Sequence, residues 1–183
     1  QSVNTIHFEN NQIVGHNTDI AGFVKAIRNT GYDVAQKKIL ILGAGGVVPS
    51  IIFALYKMKV SLITVCNRTR KKAENLKKRF KDIIITDWGN ISNFDLIINA
   101  TSVGLHKDDK INLDFSQIDK NKLFYDVIYN PEETDFLRKG KQLGNITENG
   151  KMMFIYQAHQ AFTLWHKLMP EINDELKKVL SND

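Results

Sequence analysis

Apolar residues in this chain fall into short unbroken runs, separated by segments where they recur every three or four positions. The clearest run is Lys38-Ile-Leu-Ile-Leu42, whose last four residues carry no polar break. That is how a strand buried on both faces reads. Runs at 61–66, 83–85, 95–99 and 123–128 read the same way, and 145–147 predicts a sixth, edge strand. Helices are predicted from Val47 onward and over 71–80 and 133–142. Before the first run, residues 1–14 predict two short strands around the polar turn Glu9-Asn-Asn11. A loop, Gly15-His-Asn-Thr-Asp19, leads into a helix from Asp19 or Ile20 to about Thr30. Its apolar side is Phe23, Val24 and Ile27, with Thr18 as N-cap and Gly31 as stop. After the last run, Asn149-Gly150 breaks the chain, and helices are predicted over 152–168 and from Pro170 to about Leu180. The tail 181–183 is polar.

Strands alternating with helices predict an α/β fold: a Rossmann-like, doubly wound parallel sheet with helices on both faces. Six strands fit the order 3-2-1-4-5-6. The expected division is the end of a preceding domain over 1–18, a connecting helix over 19–31, a nucleotide-binding domain over 32–150, and C-terminal helices over 151–183.

The turn after the first run is Gly43-Ala-Gly-Gly46. Strand, glycine turn, helix opens a dinucleotide-binding βαβ unit. Gly43 makes the tight turn and Gly45 lets the backbone approach a pyrophosphate, which the helix N-terminus attracts. The third position of the G-x-G-x-x-G/A pattern is Val48, so close helix–strand packing there must be rearranged. Pro49 falls in the first helical turn, where its missing N–H costs little. The alternative is a plain βα turn that binds no nucleotide.

Asn67 lies 22 residues after Gly45. Near that spacing an NAD-binding protein places an acid on the ribose and an NADP-binding one an arginine. Here the segment is Asn67-Arg-Thr-Arg-Lys-Lys72, without an acid. A carboxylate repels a 2′-phosphate, whereas a guanidinium pairs with it, so the cofactor predicted is NADP.

Composition removes other classes. The chain is 43% hydrophobic and 25% charged, which suits a globular protein. No apolar run approaches the roughly 20 residues that cross a membrane. The net charge of +5 is concentrated between Arg68 and Lys81. No aromatic interleaving, helix-turn-helix or zinc spacing accompanies it, so a solvated helix face is expected rather than a nucleic-acid surface. One cysteine, Cys66, forms no internal disulfide and fits a reducing, cytoplasmic setting. No metal-ligand spacing or nucleophilic triad stands out. Candidate proton donors are Asp19, Tyr129 and the lysines, and pattern alone does not choose among them. Asp19 also reads as a first-turn acid favourable to the helix dipole.

Several ordered blocks resemble the shikimate dehydrogenase family: Val3-Asn-Thr-Ile6, Gly15-His-Asn-Thr-Asp-Ile-Ala-Gly22, Gly43-Ala-Gly-Gly46, Asn67-Arg-Thr69 with Lys72, Asn99-Ala-Thr-Ser102, Tyr125-Asp-Val-Ile-Tyr-Asn-Pro131, Asn149-Gly150, and Gln157, Phe162 and Trp165. The glycine loop alone is unspecific; the ordered set is not. The resemblance implies NADP-dependent reduction of 3-dehydroshikimate to shikimate, on the route to chorismate and the aromatic amino acids, by a monomer or homodimer. A quinate-using variant and a non-catalytic NADP-sensing domain are the alternatives. It implies substrate contacts at Asn4, Asp19, Tyr129 and Gln157, with Asp19 the partner of a catalytic lysine. The implied cofactor contacts are Gly43, Ala44, Gly45, Gly46 and Val47 at the pyrophosphate, Asn67, Arg68, Thr69 and Lys72 at the 2′-phosphate, Thr101 and Ser102, and Val127 and Gly150 near the nicotinamide. Two departures stand out. Val47-Val-Pro49 replaces the family's small residues and arginine. The family's substrate domain, with its lysine and carboxylate-binding serines, has no counterpart here, so the chain is expected to be the cofactor-binding portion and inactive alone.

Overall fold

The computed structural model of the chain describes residues 2–106 and 108–179. The predicted end of the last helix at Leu180, the polar tail and Gln1 lie outside them. Strands β1 (Thr5–Glu9) and β2 (Gln12–His16) form an antiparallel hairpin. Asn10 and Asn11 both take positive φ, 48° and 59°, the conformation a two-residue hairpin turn needs and asparagine tolerates. Thr5 pairs with His16, so Gly15 and His16 extend β2 and the expected five-residue loop shrinks to Asn17 and Thr18. Helix α1 (Asp19–Asn29) follows and stops at Gly31, φ +73°. Thr18 is its N-cap residue, but the hydroxyl does not cap. Asn17 Oδ1 accepts from the Asp19 amide instead, at 3.1 Å.

The remaining strands are β3 (Lys38–Leu42), β4 (Leu62–Cys66), β5 (Ile84–Thr86), β6 (Leu96–Asn99), β7 (Leu123–Asp126) and β8 (Ile146–Glu148). They form one parallel sheet in the order β5-β4-β3-β6-β7-β8, which is the predicted order. Helices α2 (Val48–Lys57), α3 (Arg70–Arg79), α4 (Asp135–Gln142), α5 (Lys151–His166) and α6 (Asp174–Val179) complete the chain. The last begins four residues beyond Pro170.

The two faces of the sheet are covered differently. On one, Ile39, Ile41, Val65, Ile98 and Tyr125 pack against apolar residues of α1, α2, α3 and α5. On the other, Leu40, Leu42, Ile97 and Phe124 meet Phe136 and Leu137 of α4, with Ile91, Phe94, Ile111, Leu113 and Phe115 from connections that contain no helix. Residues 111–115 alternate buried and exposed. That two-residue period suits extended backbone and cannot line one side of a helix. Val48 is fully buried on the first face. The third motif position therefore anchors α2 in the core with a branched side chain.

Helix α5 packs along α1, and Gly22 sets the approach. A Cβ there would stand 2.9 Å from Met153 O and 3.0 Å from Gln157 Cβ. Among the described residues, no helix is long and apolar enough to cross a membrane.

Candidate active site

The carboxyl ends of β3, β4, β5 and β6 open onto a groove of about 500 Å³. Gly43 forms its floor at φ +111°, and a Cβ there would stand 2.7 Å from Ala100 O. Only glycine fits both the dihedral and the contact. Its amide donates to Cys66 O at 2.8 Å and the Ala100 amide to Leu42 O at 2.8 Å, so the turn is tied to both neighbouring strands. The amides of Ala44, Gly45, Gly46 and Val47 donate to no protein acceptor among the described residues. Val47 caps α2 without a side-chain hydrogen bond. Free amides at a helix N-terminus are the ordinary site for a phosphate.

The cationic wall comes from the end of β4. Asn67, Arg68, Thr69 and Lys72 line the groove, with Asn67 Nδ2 donating to Thr69 O at 2.9 Å. Arg70 faces elsewhere, paired with Glu74 and Asp87. Arg68 is exposed and has no carboxylate partner among the described residues. Thr101 and Ser102 line the groove as well. Gly46 and Val47 flank it on the loop but do not line it. Val127 and Gly150 lie apart, at the junction of β7 and α5, where the Gly150 amide donates to Ile128 O at 3.0 Å.

A buried polar frame shapes the 100–103 loop. Asn99 Nδ2 donates to both oxygens of Asp126 at 3.1 Å, and to Val103 O at 3.1 Å. Asn99 Oδ1 accepts from the Thr101 amide at 3.1 Å and its hydroxyl at 2.7 Å. Asp126 also accepts from Thr134 Oγ1 at 2.6 Å and the Ile128 amide at 3.0 Å, a bond that turns the chain and ends β7 two residues earlier than predicted. Burial pushes the Asp126 carboxyl above the usual range, against the pull of its hydrogen bonds. Beneath the groove, burial pushes the Cys66 thiol up to about 12, which leaves it protonated and unreactive.

The expected substrate residues gather where the hairpin, α1 and α5 meet. Asn4 Nδ2 donates to Asp19 Oδ1 at 2.8 Å. Asn4 Oδ1 accepts from the Thr18 amide at 2.9 Å and its hydroxyl at 3.2 Å. The Thr18 hydroxyl also reaches Gln157 Oε1 at 3.4 Å. Three segments thus share one network, and its Thr18–Gln157 link spans 139 residues of sequence. Burial raises the Asp19 carboxyl above its ordinary range, partly offset by Asn4. Tyr129 stands outside this network, 43% exposed and stacked on Phe154 at 4.8 Å. Phe154 precedes Gln157 by three residues on α5, so both lie on one side of that helix.

Sequence reasoning missed Trp88, Lys110 and Asn112, which also line the groove, and the role of Asp126. Trp88 follows β5 by two residues, and the rule that ligands sit beyond strand ends would have found it. Among the described residues, no group of three or more metal-ligating side chains could hold an ion.

Residues 25–132 match the model of the shikimate/quinate 5-dehydrogenase family. The chain is 55% identical to the NADP(+) shikimate dehydrogenase of Pelagibacter ubique, over 98% of this chain and 68% of that protein. It is 39% identical to the enzyme of that name from Caldicellulosiruptor saccharolyticus, over 92% of this chain and 63% of that one. The chain therefore spans about two thirds of the length of these relatives. The crystal structure of Thermus thermophilus shikimate 5-dehydrogenase in complex with NADP(H) and shikimate superposes with a TM-score of 0.83 at 31% identity, covering 93% of this chain and 64% of that one. Behind the glycine-loop groove and Arg68 stand these matches along nearly the whole length, and the chain belongs to the shikimate/quinate 5-dehydrogenase family.

Proposed function

We propose that this chain holds NADP and the substrate anchors of an enzyme that reduces 3-dehydroshikimate to shikimate. The observation that carries this reading is Arg68: a guanidinium that lines the glycine-loop groove with no carboxylate partner among the described residues. The loop amides receive the pyrophosphate and Arg68 the 2′-phosphate, assisted by Lys72. NADPH held there supplies a hydride. Asn4, Asp19 and Gln157 bind the hydroxyls of the substrate, with Tyr129 at the rim. Val127 and Gly150 flank the nicotinamide.

Hydride addition to a ketone leaves negative charge on oxygen, so a positioned proton donor is required. In the family that donor is a lysine matched by no residue here, and Asp19 is its partner. Residues 1–18 then form the edge of the substrate domain, 32–150 the NADP domain, and α5 and α6 the return toward the cleft. A reducing cytoplasm suits the single buried thiol.

Titration calorimetry tests the cofactor assignment. The Kd for NADPH should lie at least tenfold below that for NADH, about 1.4 kcal/mol; equal affinities would overturn it. Residues 1–183 alone should show no shikimate-dependent reduction of NADP. Steady turnover would place the donor inside this chain, at Asp19 or Tyr129.

A further inference from the structure

The groove contains one feature that neither the glycine loop nor Arg68 explains. The turn after β5 is closed by the Asn90 amide donating to Asp87 O at 3.1 Å, with Gly89 at φ +94°. Glycine with positive φ at the third position is what such a turn requires, and it presents the second residue, Trp88, at its crest. Arg70 grips Asp87 from α3. The indole packs on the core of the loop-covered sheet face. Trp88 is thus fixed from two sides and remains partly exposed into the groove.

Sheet order gives the direction. Outward from β3 come β4 and then β5. A dinucleotide with its pyrophosphate on the β3 loop and its ribose phosphate at Arg68, after β4, carries its base toward the end of β5. Trp88 is the aromatic residue among those lining the groove, and Lys110 and Asn112 form part of the same lining. The geometry points to Trp88 as the surface on which the adenine ring stacks, so that the indole fixes the adenosine half and Arg68 selects its phosphate. This rests on the reading of the groove as a dinucleotide site.

The experiment separates the two claims. In the unaltered chain, failure of NADPH to bind in calorimetry would remove the dinucleotide reading itself. Given binding, Trp88→Ala should raise the Kd for NADPH and NADH alike by about tenfold, because adenine is common to both and stacking on an aromatic face is worth that much. Trp88→Phe, which keeps an aromatic face, should recover most of the affinity. Emission gives an independent readout. Trp165 lies beside the hairpin and donates from Nε1 to Ile6 O at 2.9 Å, so a Trp165→Phe background leaves Trp88 as the sole indole. Adenosine 2′,5′-bisphosphate should quench it. Affinity within twofold of the parent in Trp88→Ala, or unchanged Trp88 emission at saturating bisphosphate, would overturn the stacking role while leaving the groove assignment intact.

Discussion

The cofactor groove and the Asn4–Asp19–Gln157 cluster sit on the same molecule in opposite states of satisfaction. The groove offers four loop amides and an exposed guanidinium, none spent on protein partners among the described residues. The cluster is spent on itself: Asn4 serves Asp19 and Thr18, and Thr18 reaches Gln157. One region is primed for a strongly charged ligand, whose own charge replaces the lost hydration. The other holds polar groups in fixed positions, bonded to one another, so that on the proposed reading a substrate hydroxyl must exchange into an existing network. On the proposed reading, affinity resides in the groove and positioning in the cluster.

Substitutions that strike one region should spare the other. The largest effect is expected from Asp19→Asn in an enzyme joined to the remaining length its relatives possess. Turnover should fall by about 10²–10⁴-fold, the usual worth of an acid–base group, while the NADPH Kd stays put. A parallel loss of NADPH binding would erase the distinction between the regions. Gly45→Val should do the reverse. Beyond its chain neighbours, a Cβ at Gly45 meets nothing among the described residues nearer than Ala100 O at 4.0 Å, so the fold survives, and the valine fills the space proposed for the pyrophosphate. Both NADPH and NADH should weaken by at least about 100-fold, or 2.7 kcal/mol, with an unchanged melting temperature. Unchanged binding would place the phosphate site elsewhere.

Asn99→Ala attacks the groove through its frame. It removes donors from Asp126 and releases the Thr101 turn. Leaving a buried carboxylate short of partners costs about 2–3 kcal/mol, readable as a lower denaturation midpoint together with a severalfold weaker NADPH isotherm. The smallest effect concerns pH. Because burial raises the Asp19 pKa above 3.8, the folded state holds that proton more tightly than the unfolded chain. Ionised Asp19 therefore costs stability, and the cost grows as pH rises above 3.8 through the folded value. Asp19→Asn should melt slightly higher than the parent at neutral pH, with the gain vanishing near pH 3. A gain that persists in acid would mean that the carboxylate is not strained by burial.

The difference between the regions also explains what could be read from residues alone. The groove is built from consecutive positions, so the run 39–42, the turn 43–46 and the spacing to Arg68 displayed it directly. The strand order was legible for the same reason. The cluster joins residues 4, 18–19 and 157 across the fold, and no local period announces that meeting; it entered only through the family resemblance. Thr18 reads as a helix cap from its neighbours, yet tertiary partners Asn4 and Gln157 take its hydroxyl. No helix was predicted between β6 and β7, and none forms there among the described residues: the alternation of Ile111, Leu113 and Phe115 suits extended backbone.

Everything proposed for the groove turns on Arg68 selecting NADP. Calorimetry of Arg68→Ala against the parent, with NADPH and NADH in turn, tests it most directly. The NADPH Kd should rise at least about tenfold, 1.4 kcal/mol, and the NADH Kd should barely move. Equal losses for the two cofactors, or none for NADPH, would contradict it.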